Sequence, residues 1–146
     1  MSSPSPAQIE ALRLSIDVLV RVFKITDSPA LSAGTPRLNP PDMQALLFVA
    51  RHPDCIASHL GSFLGVAPTT ISALVERLVR QGLMERARTD SNRRVVLLRL
   101  TGAGKAVVRQ IVSQQDDHCR QMLSALTEAE REAFLQAAQK IIAAIS

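Results

Sequence analysis

Residues 88–94 read RTDSNRR: three arginines, one acid and three small polar side chains, with nothing to bury. A guanidinium is always charged, and its planar fork matches the oxygens of a phosphate. The same chemistry continues on both sides. From residue 77 to 109 there are nine basic residues (Arg77, Arg80, Arg86, Arg88, Arg93, Arg94, Arg99, Lys105 and Arg109), opposed only by Glu85 and Asp90. That segment is net +7 in a chain of net +4, so the remainder is −3. A basic block on a near-neutral body is the electrostatic footprint of a protein that neutralises phosphates.

Other residues could do different chemistry. The stretch HPDCIASH spaces His52, Cys55 and His59 by three and four positions, and His118 and Cys119 are adjacent. This spacing matches no strong zinc signature, and Pro53 separates His52 from Cys55, so no metal and no cofactor are expected. Two cysteines are too few for a disulfide framework, and reduced, buried thiols are expected at both positions. No basic cluster flanks either one to activate it. There is no Ser-His-acid set, P-loop or pair of carboxylates in a structured site, and TGAGK (101–105) lacks the first half of a Walker motif. An enzyme is not expected.

The elements that must position these residues are legible from periodicity. With 146 residues, 47% of them hydrophobic, the chain suits a single domain. Ile9, Leu12, Ile16, Leu19, Val20 and Phe23 fall at helical spacing within residues 7–26. Residues 27–41 hold four prolines and a glycine and predict a connector. A second helix restarts there, with Asn39 as its cap, Pro40 at its first position and Asp42 in its first turn. Met43, Leu46, Leu47 and Val49/Ala50 are expected to face inward, and Pro53 stops the helix.

Residues 55–83 predict two short helices, about 57–64 and about 68–81. They are joined by a turn in which Gly65 takes a left-handed conformation and Val66 packs inward. The second helix buries Ile71, Leu74, Val75, Leu78 and Val79, and ends at Gly82. LMERAR (83–88) and RVVLLRL (94–100) predict two strands bracketing a polar loop. Thr101 caps a further helix, and TEAE (127–130) is a capping box that opens the last. The expected fold is mainly α with a small β-hairpin: a helix-turn-helix followed directly by a wing.

A helix-turn-helix beside an arginine-rich hairpin points to double-stranded DNA, whose major groove admits one α-helix. The helix from Pro68 presents Thr69, Thr70, Ser72, Ala73, Glu76 and Arg77 on its polar side. Small polar groups there allow close approach to base edges, and the helix start offers free N–H groups to a phosphate. Arg93 and Arg94 suit insertion into a narrow minor groove and phosphate contact. Arg86 and Arg88, on the opposing strand, suit phosphates or salt bridges.

The stretch HLGSFLGVAPTTISALVERLVRQGLMERARTDSNRRVVLLRLTGAGKAV resembles the MarR family of bacterial transcription regulators. The resemblance rests on Leu60, the LGV turn, LVERLVRQGLMER, the acid-and-arginine wing ending in RR, and LRLTGAGK. With the order of flanking helices it covers nearly the whole chain. It implies a homodimer whose dimerisation helices, 7–26 and 102–146, interlock about a two-fold axis. The winged lobe, 39–100, would then straddle pseudo-palindromic DNA as a repressor. It also implies a small aromatic or anionic effector in a cleft between dimer helices and winged lobe. Here that cleft could draw on Phe23 and Phe48, with Arg13, Arg21 or Arg51 meeting a carboxylate. The apolar faces at both chain ends fit dimerisation independently.

Two residues depart from the family pattern. Asn92 stands where an aspartate commonly orients the wing arginine, so Arg94 is expected to be held more loosely, or by Asp90 instead. Ala67 replaces a capping Ser or Thr before Pro68. Two other readings stay open: a winged-helix dimerisation module that reads no specific sequence, and a metal- or thiol-responsive regulator. No apolar run approaches the roughly 18 residues of a membrane span, and MSSPSPAQIE does not read as a signal peptide. No membrane partner and a cytoplasmic location are therefore expected.

Overall fold

The structure, a computed structural model, describes residues 2–25 and 37–146, with the side chains of residues 23–25 outside the described residues. Along it run α1 (Pro6–Ile25), α2 (Pro40–Arg51), α3 (Ala57–Leu64), α4 (Pro68–Arg80), β1 (Met84–Arg88), β2 (Val96–Leu100), α5 (Gly102–Ser124) and α6 (Glu128–Ile145). This is the order that the periodicity predicts: mainly α, with one hairpin. Of the connector expected over 27–41, residues 27–36 lie outside the described residues. The chain forms two compact units, Met1–Val112 and Ser113–Ser146, with the boundary inside α5.

The core of the first unit follows the helical stripes. α2 buries Met43, Ala45, Leu46, Leu47 and Val49, and α4 buries Ile71, Leu74, Val75 and Leu78. Leu60 of α3 is fully enclosed, and Leu98, Leu100, Val107 and Ile111 close the far side. Three inward placements differ from expectation. Ala50 is exposed, because Val49 takes the buried position at that end of α2. Val79 is only partly buried, at the edge of its stripe. Val66 is 38% exposed. Gly65 sits at φ 67°, and its N–H and that of Val66 both donate to the Gly61 carbonyl (2.8 and 3.2 Å). This closes the turn tightly and leaves Val66 outside it.

Helix ends obey their local chemistry. His52, before Pro53, leaves the α region with φ −127° and ψ 67°. Thr101 Oγ1 donates to the Gly82 carbonyl (2.6 Å) and accepts from Gly104 N–H (3.0 Å), pinning the start of α5 to the end of α4. Gly104 lies so close there that a Cβ would run into the Leu83 carbonyl. The hairpin is antiparallel, with Met84 opposite Leu100, Arg86 opposite Leu98 and Arg88 opposite Val96. Leu98 and Leu100 are buried and Arg99 is exposed, the alternation of a strand with one wet face. The outer edge of β2 is covered by Cys55, whose carbonyl accepts from Leu98 N–H at 2.8 Å.

The second unit contrasts with this core. α6 opens on the predicted capping box, Thr127 with Glu130, yet it buries none of its residues. Phe134, Leu135, Ile141, Ile142 and Ile145 are all exposed on it. α1, in the first unit, likewise exposes Ile9, Leu12, Leu14 and Ile16. Among the described residues no single helix is long and apolar enough to cross a membrane; α3 and α4 reach that length together only across their 111° bend.

Candidate nucleic-acid interface

α4 presents Thr69, Thr70, Ser72 and Ala73 to solvent on one polar face. Pro68 occupies the first helical turn and Ala67 the N-cap, with no side-chain cap bond. The leading N–H groups of α4 are thus left without side-chain acceptors, which suits an anion.

The wing tip is closed by its own small residues. Thr89 Oγ1 accepts from Asn92 N–H (3.2 Å), and Asn92 Oδ1 accepts from Arg94 N–H (3.2 Å). Arg88 donates to the Arg93 carbonyl across the hairpin (2.8 Å). Asn92 therefore shapes the turn through the backbone of Arg94 and does not hold its guanidinium. Nor does Asp90 take the place of the usual aspartate: among the described residues no ion pair joins it to Arg94. The side chains of Arg93 and Arg94 are exposed and carry no partner among the described residues.

The other arginines are committed within the fold. Arg86 pairs with Glu76 of α4 at 2.9 Å, tying the wing to that helix. The Arg86 hydrogen bond, aided by its charge, holds the Glu76 carboxyl below the usual carboxylate range. Arg99 pairs with Asp54, whose hydrogen bond and charge push the guanidinium still higher. Asp54 sits at φ 65°, a left-handed conformation that aspartate tolerates better than most residues.

Arg77, expected on the DNA-facing side, turns to Asp42 of α2 instead. Asp42 is 1% exposed, and its Oδ2 also accepts from Asn39 N–H (3.4 Å) in the capping box. The Asp42 hydrogen bond raises the Arg77 pKa further, against a smaller effect of burial.

The residues expected to meet a small ligand are dispersed in their bonding. Arg13 pairs with Glu10 (3.9 Å) and Arg21 with Asp17 (2.8 Å), each inside α1. Phe48 stacks on His52 and Phe63, with ring centroids 4.5 and 4.7 Å away. Arg51 is exposed at the end of α2, and the Phe23 side chain lies outside the described residues. A cleft of about 550 Å³ does open at the wing root, between the end of α2 and the start of α5. Val49, Val108, Arg99, Lys105 and Arg109 line it, and none of the five expected ligand residues does.

Among the described residues no three His, Cys, Asp or Glu side chains converge as a metal site. Cys55 is buried, and that burial pushes its thiol up. Cys119 is exposed, contrary to expectation, because it belongs to the polar stretch SQQDDHCRQ of α5.

Sequence reasoning missed two acids that organise this surface, Asp42 and Asp54. The Asn39-to-Asp42 spacing signals a capping box, but nothing local signals a partner 35 residues away. Asp54 directly follows Pro53 at the helix stop, a position where an acid reads as ordinary turn chemistry.

Comparison with known proteins places this geometry. The sequence model of the MarR family matches residues 38–95, from the start of α2 into the wing. The transcriptional repressor MprA of Escherichia coli is 29% identical over 85 residues, spanning 58% of this chain and 48% of that protein. The HTH-type transcriptional regulator YsmB of Bacillus subtilis is 23% identical over 104 residues, 71% of each chain. Among solved structures, FabT of Streptococcus pneumoniae in complex with DNA superposes with a TM-score of 0.81. It is 19% identical and covers 93% of this chain and 95% of that one.

Proposed function

From the match of residues 38–95 to the MarR family model, we propose that the protein is a member of that family, a homodimeric repressor that reads a pseudo-palindromic operator. It is a DNA-binding transcriptional regulator and not an enzyme. The observation that carries the reading is the sorting of the wing arginines. Arg86 and Arg99 are held in ion pairs, and Arg88 is bonded to a backbone carbonyl. Arg93 and Arg94, at the tip, keep their charge for an outside anion. In this reading the exposed face of α4 (Pro68, Thr69, Thr70, Ser72, Ala73) lies in the major groove, and the two tip arginines enter the flanking minor groove.

The dimer is supported by the apolar stripes of α1 and α6, whose large hydrophobic residues are exposed in the single chain. A two-fold dimer carries two winged lobes and therefore matches an inverted-repeat site. An effector that relieves repression has a place to bind in the wing-root cleft, where aliphatic walls meet the cations Arg99, Lys105 and Arg109, which outnumber the acids Asp54 and Glu85. That combination suits a small aromatic carboxylate. A cytoplasmic location follows from work on DNA.

The test is a titration of the protein against its own upstream intergenic DNA and against random DNA, at several salt concentrations. Repression requires a specific-to-random affinity ratio of roughly 10³ or more and a steep loss of affinity with salt. Equal affinities for both DNAs would leave only a sequence-blind winged-helix module. Arg94→Ala is expected to weaken operator binding about tenfold. Arg131→Ala, on α6, where the side chain bonds the Leu123 carbonyl, should leave it unchanged. Equal effects would remove the wing from the interface.

A further inference from the structure

We infer that Arg77 is a positioning residue for the DNA-reading helix, held by Asp42, and not a phosphate contact. The inference rests on the reading of α4 as that helix.

The geometry is asymmetric. Asp42 is the one charged residue in the buried set among the described residues. A buried carboxylate is tolerated only when it is paired and hydrogen-bonded. Asp42 meets that condition through Arg77, through Asn39 N–H and through the N-terminal end of α2. If Arg77 swung out to a phosphate, Asp42 would lose its cation in a place water barely reaches.

Arg77 is also held along a single edge. Its Nε is buried without a hydrogen-bond partner, as is Gln81 Oε1 one turn further on. The orientation of the guanidinium therefore depends on Asp42. α2 packs on α3 and β2, and α4 packs on α3 and β1. The Asp42–Arg77 pair ties α2 to α4 directly, across 35 residues of sequence.

Its consequence falls on the residues ahead of it in α4. Thr69, Thr70, Ser72 and Ala73 must approach base edges within hydrogen-bond distance, so a small tilt of α4 costs base contacts. Non-specific attraction comes from the summed positive charge and is insensitive to that tilt.

The experiment uses the full chain with Arg77→Ala, Asp42→Asn, the double variant and Arg77→Lys. The probes are a duplex selected by the wild-type protein from a randomised pool and an unselected duplex of equal length. Binding is measured over a salt series at a temperature where circular dichroism finds every variant folded. Both single variants should lose about tenfold in affinity for the selected duplex. They should stay within about twofold of wild type on the unselected one, because the phosphate contacts persist. The double variant should be no worse than the weaker single variant, as expected of one shared interaction. Arg77→Lys, which keeps a cation beside Asp42, should recover most of the loss.

Asp42→Asn is the decisive variant. It removes a negative charge, so simple electrostatics predicts tighter DNA binding, whereas loss of the latch predicts weaker specific binding. If Arg77→Ala flattens the salt slope by about one while Asp42→Asn binds as wild type or tighter, Arg77 is a phosphate contact and the inference is wrong. If Arg77→Ala does not fold, Asp42→Asn and Arg77→Lys still decide. A wild-type protein that enriches no duplex would overturn the premise of DNA reading itself, an outcome distinct from a latch failure.

Discussion

The winged lobe and the terminal helices use apolar residues in opposite ways. In the lobe, Leu46, Leu60, Ile71, Leu78 and Leu98 are all within 2% of complete burial. On α6, Phe134 is 48% exposed, Ile142 58% and Ile145 79%. Both regions are helical and regularly capped, so secondary structure does not separate them. What separates them is whether one chain can finish the packing. α3 and α4 meet across a tight turn and close over α2 and the hairpin; α6 has no such neighbour within its own unit. The lobe is complete as a monomer, and the terminal helices have a broad apolar surface left over, the property expected of an interface between copies.

The largest break in that contrast would come from the lobe. Leu60→Ala empties a fully enclosed position and should cost about 2–5 kcal/mol, read as a lower denaturant midpoint. A loss under about 1 kcal/mol would mean that the lobe is not a tightly packed core. Next comes α6. Ile142→Glu should leave lobe unfolding nearly unchanged but weaken self-association at least tenfold, since it puts a charge into an apolar contact. Analytical ultracentrifugation over a concentration series reads this directly. If wild type and variant sediment alike, α6 is not a dimer surface.

The smallest effect is one both regions share. Glu76, in the lobe, is lowered by the Arg86 hydrogen bond, and Glu130, at the α6 cap, by the hydrogen bonds of Thr127. A carboxylate lowered in the folded state contributes stability above its unfolded pKa of about 4.3 and loses it as pH falls through the folded value. Melting temperature should therefore drop on acidification below about pH 4. Glu76→Gln and Glu130→Gln should each make the drop shallower. Parallel acid profiles for all three proteins would show that neither group is linked to folding.

Much of the local structure around the candidate site is legible in the sequence. The wing tip, the polar face of α4, the Gly65 turn and the capping boxes depend on residues within a few positions of one another. Short-range hydrogen bonds and helical or strand periodicity report them faithfully. The differences concern which way a side chain faces, not which element it sits in. Val66 is expected to pack inward in the Gly65 turn, but the turn geometry leaves it 38% exposed. Cys119 is expected to be buried in apolar surroundings, yet it is exposed in a polar stretch of α5. Of the two expectations for Arg94, looser holding or a pair with Asp90, the second is absent among the described residues, and Thr89 and Asn92 close the wing turn through the backbone.

By itself, the sequence determined the order of the elements, the basic wing and the apolar stripes at both chain ends, because each is a pattern of near neighbours. Only the tertiary structure decided which charges remain available. Arg77 meets Asp42 across 35 residues and Arg99 meets Asp54 across 45. Those partners are brought together by the packing of α2, α3, α4 and β2, a property of the whole core that no local spacing encodes. Nine cations in a row of sequence thus become a surface on which Arg93 and Arg94 are free and Arg77 is held.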